Sequence, residues 1–173
     1  MGTTQKDFLR EFAEVFQQKA PDVEWTGGQV RTNTARFLTH EAGRRSNSHK
    51  KAERFELGDL TAHYKGHKII VEFESGGISI SNLLKYWPYL RGELSQKPES
   101  SIVICHFSNW WSYGTYRDLW QWTLDQMQQD ARCLQRIFGQ QFDHSGKDNS
   151  LRSDSITQAV NWVFNHLLTS QQV

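Results

Sequence analysis

Cysteine and long apolar runs are scarce in this sequence of 173 residues, and each scarcity excludes a class of protein. The two cysteines, Cys105 and Cys133, are too few for a disulfide framework or a cysteine-rich zinc site, and they favour a reducing compartment. No apolar run approaches the roughly 20 residues that span a bilayer, and the first residues lack the apolar stretch of a signal peptide. We therefore expect a cytoplasmic protein without a membrane segment.

Several motifs of other enzyme classes are also absent. The seven histidines show no HExxH or other zinc spacing, and the sequence has no P-loop, no GxSxG elbow and no Rossmann glycine pattern.

The net charge of +1 is uninformative by itself. With 37% hydrophobic residues, no repeats and no low-complexity linker, the length is sufficient for one core and predicts a single domain over residues 1–173.

Positive charge is concentrated in one segment, residues 31–54, where Glu41 and Glu53 are the only acids. A basic segment of this kind can follow the phosphates of a nucleic acid, although a soluble loop would have the same composition. The residues that we expect to contact phosphates are Arg36, Arg44, Arg45, Lys50, Lys51 and Arg54.

Two strand-like segments, residues 55–64 and 67–74, flank Lys65-Gly66, which can form a two-residue hairpin loop. In that register Tyr64 pairs with His67, and Asp59 faces Glu72. Directly opposed side chains lie roughly 4.5–5.5 Å apart at Cβ, and like charges at that separation are destabilising. A divalent metal ion bound between the two carboxylates would offset their repulsion.

Alternation of side chains supports this register, because a slip of one residue would place an acid opposite a core position. One face would pack on a core and carry Leu60, Ala62, Tyr64, Ile69, Val71 and Phe73. The other face would carry Asp59, Thr61, His63, Ile70, Glu72 and Glu74. A solvated polar strand face is the alternative explanation of these acids, but three converging carboxylates are more than solubility requires.

Hydrophobic periodicity predicts the elements around the hairpin. Before it we predict an amphipathic helix over residues 5–19, a short strand over residues 29–38 and a turn-rich loop over residues 40–51. After it we predict that Ser81 caps a helix, which Pro88 kinks or shortens.

The rest of the chain completes the fold. Residues 101–107 form an apolar run typical of a strand that is buried on both faces. Long helices are predicted over residues 115–138 and 154–168. This order of elements predicts an α/β fold, with a mixed central sheet flanked by helices.

The acidic hairpin resembles the active-site signature of the PD-(D/E)XK nuclease superfamily, which has the restriction-endonuclease-like fold. Gly58-Asp59, twelve intervening residues and then Glu72-Phe73-Glu74 reproduce the spacing of that signature. The order of elements also matches the common core of the superfamily over roughly residues 5–135, followed here by a C-terminal helical extension.

The resemblance implies a set of site residues. Asp59 and Glu72 would bind Mg²⁺, for which Mn²⁺ can substitute, and the carbonyl of Phe73 would add another ligand. Glu11 would lie near the metal, because members of the superfamily often place a glutamate of the first helix there. Few protein ligands are sufficient for Mg²⁺, which keeps several of its waters.

One position departs from the signature, because Glu74 stands where the superfamily usually has a lysine. In a minority of members an acid occupies this position, where Glu74 would be a general base or part of a second metal site. The missing ammonium group would come from Lys85, on the helix after the acidic strand, or from Lys68, which alternation places on the acidic face.

The resemblance implies a metal-dependent endonuclease that hydrolyses DNA, with double-stranded DNA as its substrate and a homodimer as the form that cuts both strands. Restriction, phage defence, mobile-element processing and repair are all compatible contexts.

Two alternatives stay open. The first is a catalytically inactive nucleic-acid-binding or assembly module with the same fold, which the missing lysine favours. The second is a protein–protein interaction domain that uses exposed tryptophans.

Overall fold

A computed structural model of the protein describes residues 3–27, 34–35, 37–38, 55–109, 116–144 and 149–169. These residues contain five helices and seven strands. The helices are α1 (Thr3–Gln17), α2 (Ser81–Leu84), α3 (Tyr86–Leu90), α4 (Tyr116–Gln129) and α5 (Asn149–Thr169). The strands are β1 (Trp25–Gly27), β2 (Thr34–Ala35), β3 (Phe55–Glu56), β4 (Leu60–Tyr64), β5 (His67–Phe73), β6 (Ile102–Ser108) and β7 (Ile137–Asp143).

Five of the strands form one mixed sheet in the order β1-β4-β5-β6-β7, and β2 pairs with β3 in a second, two-stranded sheet. β4 is antiparallel to both of its neighbours, whereas β5, β6 and β7 are parallel to one another. The parallel strands are connected through helices, as parallel pairs require. The predicted α/β fold with a mixed sheet flanked by helices is therefore confirmed. No helix in the described part of the chain is long and apolar enough to cross a bilayer.

The hairpin of β4 and β5 has the predicted register, with Tyr64 opposite His67 and Leu60 opposite Val71. Its two-residue loop has positive φ at both positions, 48° at Lys65 and 80° at Gly66. Turns of this kind match the right-handed twist of the strands that they join. The sequence pattern therefore predicts the pairing correctly from Leu60 onwards.

Both faces of this sheet are covered by helices. We call the side that packs on α1 and α5 the aromatic face; it includes Phe8, Phe12, Phe16, Phe73 and Phe107. We call the side that packs on α2, α3 and α4 the polar face; its apolar part includes Ile70, Ile104, Tyr86 and Trp120. The alternative of a solvated acidic face is wrong for Glu72, which is only 2% exposed.

The predicted strand over residues 55–64 is interrupted before Asp59. Gly58 has a φ of +90°, and a Cβ atom there would lie 2.8 Å from Cγ2 of Thr61. Only glycine adopts this conformation readily, so the chain turns out of the strand at this point. The amide of Asp59 donates to the carbonyl oxygen of Val71 at 3.0 Å, which is one residue out of the hairpin register.

The predicted helix over residues 115–138 is too long. α4 ends at Gln129, the chain turns over residues 130–136 with a positive φ of 57° at Gln135, and β7 follows. β7 and α5 belong to the core, because Phe142 and five apolar side chains of α5 pack on the aromatic face. The core thus extends well past residue 135.

The helix predicted to start at Ser81 is split at Lys85 into α2 and α3. Pro88 explains the split, since a continuous helix would need its missing N–H and would bring its ring against the carbonyl of Leu84. Ser81 is not the cap residue; Ile80 holds that position, and the Ser81 hydroxyl bonds to Ser79 instead. Of the strand predicted over residues 29–38, the described part contains β2; the loop over residues 40–51 lies outside the described residues.

Candidate active site

A cavity of about 450 Å³ lies where β5 ends and where the chain enters β4. Its wall includes the ionisable side chains Glu56, Asp59, Glu72 and Lys85. The cavity therefore brings together both of the predicted metal ligands and one of the two candidate lysines.

Asp59 lies at the break in the strand rather than in a regular cross-strand pair. Its Oδ2 accepts a hydrogen bond from the backbone N–H of Phe73 at 2.8 Å, so its carboxylate replaces a main-chain acceptor at the end of the hairpin. Burial raises the pKa of Asp59, and the bond from Phe73 and the charge of Lys85 act against that rise. Asp59 is thus fixed beside Glu72, although not through the ladder pairing that the sequence predicts.

Glu72 is the most deeply buried acid of the site. Its Oε1 lies 2.8 Å from Nζ of Lys85 and accepts a hydrogen bond from the hydroxyl of Tyr86. Burial raises the pKa of Glu72 to about 7, because the favourable charge of Lys85 does not fully offset desolvation and the nearby charge of Asp59 adds to the rise. An unaided carboxylate is therefore poorly stabilised in its ionised form at this position.

The two candidate lysines are separated by the structure. Lys85 occupies the junction of α2 and α3 and reaches Glu72. Lys68 is also buried, but it lies at the start of β5 and its Nζ is 3.5 Å from Oε1 of Glu99. Lys85 is therefore the ammonium group of this cavity, and Lys68 belongs to a different ion pair.

Glu74 is held next to the cavity by partners on two elements. Its Oε1 accepts a hydrogen bond from Nδ2 of Asn82 at 2.6 Å and lies 3.5 Å from Nε2 of His106. The second distance is that of an electrostatic contact rather than a hydrogen bond, since Nε2 has no hydrogen-bond partner in the described residues. Burial alone would raise the pKa of Glu74, but His106 and Asn82 outweigh it and hold that pKa below its ordinary value.

His106 and Tyr86 are site residues that the sequence pattern does not reveal. His106 lies opposite Glu72 in the β5–β6 register and is fully buried. Nε1–H of Trp120 donates to its Nδ1 at 2.9 Å, which places the proton of the neutral ring on Nε2, facing Glu74. Donation to Nδ1 requires that this nitrogen carry no proton, and burial lowers the pKa of His106 in the same sense. A histidine within an apolar strand was the only sequence signal.

Glu11 is held away from the cavity. Its Oε2 lies 2.8 Å from Arg152, and its Oε1 accepts a hydrogen bond from the hydroxyl of Ser153 at 2.7 Å. Both partners belong to α5, and α1 and α5 cover the aromatic face, whereas Glu72 lies on the polar face. The structure therefore does not bring Glu11 together with Asp59 and Glu72.

The predicted phosphate-contacting residues lie outside the described residues. They are Arg36, Arg44, Arg45, Lys50, Lys51 and Arg54.

The donors around the cavity suit a hard cation held by few protein ligands. In the described part of the chain no three histidine, cysteine, aspartate or glutamate residues are grouped as a metal site. Two carboxylates are nevertheless sufficient for Mg²⁺, which retains most of its waters. Asp59 uses Oδ2 and Glu72 uses Oε1 for the contacts described above, which leaves one oxygen of each carboxylate for a cation. Phe73 also lines the cavity.

Comparisons with known proteins give no relative from which a function could be transferred. No family model matches the sequence, and no curated protein or solved structure matches it either.

Proposed function

We propose that this protein is a Mg²⁺-dependent phosphodiester hydrolase of the PD-(D/E)XK type, with a restriction-endonuclease-like fold and DNA as its substrate. The observation that carries the proposal is the cluster of Asp59, Glu72 and Lys85 on one cavity, with the Lys85 ammonium 2.8 Å from Glu72. The hairpin spacing, the mixed sheet and the lysine on the following helix all agree with it.

Each residue has a distinct role in this proposal. Asp59 and Glu72 would hold Mg²⁺, which when bound neutralises developing charge on the phosphate and makes a bound water more acidic. Lys85 donates a hydrogen bond to a phosphate oxygen or to the attacking water. Glu74, which Asn82 and His106 keep ionised, accepts the proton of that water.

The raised pKa values support the proposal. Burial raises the pKa of both Asp59 and Glu72, which is unfavourable for stability unless another positive charge shares the cavity. Perturbed carboxyl groups that converge on a cavity are typical of functional sites, although structural ion pairs also perturb pKa values. Metal binding is the simplest source of the additional charge.

Cleavage of a supercoiled plasmid by the purified protein, with Mg²⁺, with Mn²⁺ and with a chelator, tests the proposal. We expect cleavage only with metal, and we expect Asp59→Asn, Glu72→Gln and Lys85→Met each to reduce its rate by about 10²–10³-fold, the usual effect of removing one electrostatic contact to a transition state.

Glu99→Gln and Lys68→Met are the matched controls, because they alter a second acid–lysine pair, whose lysine lies on the same strand as Glu72. Both should retain cleavage within about twofold, as is usual for residues that touch neither substrate nor metal. Cleavage that persists in Asp59→Asn and Glu72→Gln would exclude this cavity as the active site. Metal-independent DNA binding without cleavage would favour the inactive binding module instead.

A further inference from the structure

Two exposed apolar side chains share the cavity with the acids. Phe37 and Leu84 are 40% and 43% exposed, and both line it together with Asp59, Glu72 and Lys85. Single exposed apolar residues are common on protein surfaces and need no explanation. Two on the wall of one cavity, next to a group of ionisable side chains, indicate a ligand that is charged at one end and apolar at the other.

A nucleotide has this combination, because its phosphate is charged and its base is a flat aromatic ring. A volume of about 450 Å³ is within the range of small-ligand sites, which span about 300–1,000 Å³. In a closed duplex each base is paired and stacked on its neighbours, so no base face is available to a protein side chain. An unpaired base can leave the stack and lie on an aromatic ring.

We propose that Phe37 stacks on an unpaired base next to the scissile phosphate, so that the cavity selects single-stranded or frayed DNA over a closed duplex. This inference rests on the proposed function, because Asp59, Glu72 and Lys85 are the groups that would hold the phosphate. Leu84 forms an apolar contact to the same nucleotide. The preferred substrate is then single-stranded or frayed DNA rather than the intact double-stranded DNA that the sequence analysis favours.

Leu38 offers a matched control for Phe37. It is the next residue along the chain and is 61% exposed, more than Phe37, but it is not one of the described residues that line the cavity. Both side chains are apolar and exposed, whereas of the two only Phe37 lines the cavity.

The experiment measures binding and cleavage in the same samples. A single-stranded oligonucleotide with one 2-aminopurine is titrated with protein in the presence of Ca²⁺, and fluorescence quenching reports stacking of that base. The same sequence in a relaxed, covalently closed circular duplex provides no unpaired base. Electrophoresis of each sample after exchange to Mg²⁺ measures cleavage.

We expect the single strand to bind more tightly than the closed duplex, with quenching. Phe37→Ala should weaken binding of the single strand by roughly 5- to 150-fold and abolish quenching, because stacking of one base on an aromatic ring is worth that factor. Phe37→Trp should retain both signals, and Leu38→Ala should match the unaltered protein.

Equal binding of the two DNAs, or equal binding by Phe37→Ala and Leu38→Ala, would overturn the inference. Metal-dependent cleavage that requires Asp59 and Glu72 but is indifferent to Phe37 would refute the inference and leave the proposed function intact. Quenching that depends on Phe37 without any cleavage would support the inference and count against catalysis.

Discussion

The two faces of the central sheet are built in opposite ways from the same strands. On the aromatic face, Phe8 packs against Phe73 and Phe107 with ring centroids 4.6 and 4.7 Å apart. On the polar face, the same strands bury ionisable or hydrogen-bonding side chains, namely Lys68, Glu72, His106 and Ser108. Burial of apolar area stabilises a fold, whereas burial of a polar group costs free energy unless every partner is supplied.

This contrast agrees with the proposal that the active site lies on the polar face. Both faces of a sheet that is covered on both sides could bury apolar side chains. The aromatic face does bury them. The polar face instead holds a carboxylate with a pKa of about 7 beside a lysine and a tyrosine. An arrangement that is costly for stability is typical of functional sites, which supports the proposed function. The following predictions test that division, from the largest expected effect to the smallest.

Phe12→Ala should destabilise the protein by about 3–5 kcal/mol, the usual range for removing a fully buried phenylalanine ring. Phe12 contacts Phe16, Trp25 and Phe107, so its removal leaves a cavity within the aromatic face. Urea denaturation measures the free energy of unfolding. The partly buried Val15 is the control, and Val15→Ala should have a smaller effect. Under conditions where Phe12→Ala stays folded, its rate of DNA cleavage should equal that of the unaltered protein.

Because of Glu72, we expect the free energy of unfolding of the metal-free protein to fall as the pH rises. Its pKa of about 7 in the folded protein exceeds the ordinary value of 4.5, so the folded state binds the proton more tightly than the unfolded state. Its stabilising contribution is therefore complete below about pH 4.5 and is lost as the pH rises through about 7. At 1.36 kcal/mol per unit, the loss is on the order of 3 kcal/mol at most.

Urea denaturation between pH 5 and pH 8 measures this dependence. Glu72→Gln should remove most of the decline, whereas the control Glu99→Gln should retain it. The raised pKa of Asp59 contributes in the same direction, and the lowered pKa of Glu74 contributes in the opposite one. If the unaltered protein and Glu72→Gln respond equally to pH, burial does not raise the pKa of Glu72 in the folded protein.

Gly58→Ala should destabilise the protein by about 1–3 kcal/mol, the cost of holding a non-glycine residue in an unfavourable backbone conformation. Its Cβ would also press on Thr61 and Ile70 of the polar face. Gly66→Ala is the matched control, since Gly66 has a φ of +80° but nothing within 4 Å of the added Cβ. Thermal unfolding should show a larger loss for Gly58→Ala, and DNA cleavage should fall only in that variant because Asp59 is displaced.

Glu11→Gln should have the smallest effect, about 0.2–1 kcal/mol, as is typical of exposed or partly exposed ion pairs. Arg152 and Ser153 hold Glu11 on the side of the aromatic face, so we expect cleavage to change by less than about twofold. Chemical denaturation and the plasmid assay measure the two quantities. A loss of cleavage as large as that of Glu72→Gln would show that Glu11 reaches the metal.

The sequence predicts the parts of the site that depend on local pattern. Period-two alternation and a Lys65-Gly66 turn are sufficient to establish the hairpin register and the shared face of Glu72 and Glu74. The helical position of Lys85 also follows from local periodicity. These features involve residues close together in the chain, where propensity and turn geometry decide the structure.

The missed features depend on contacts between distant segments. His106 is placed beside Glu72 by the parallel pairing of β5 and β6, and strand pairing across a helical crossover cannot be read from alternation. β7 is not predicted as a strand: its first two residues, Ile137 and Phe138, fall at the end of the helix predicted over residues 115–138, because short apolar runs fit either period. The contact between Asp59 and the Phe73 N–H depends on the interruption of the strand at Gly58, which a strand pattern does not reveal.

The contact between the Asp59 carboxylate and the Phe73 N–H has a consequence for any substitution at this position. The Asp59 side chain accepts the last hydrogen bond of the hairpin and also lines the cavity. Truncation to alanine would leave the buried Phe73 N–H without this acceptor and would loosen the end of the strand that carries Glu72. Loss of activity in Asp59→Ala would therefore mix two causes. Asparagine keeps an oxygen for that amide, and it alone separates the chemical role of the acid from its architectural one.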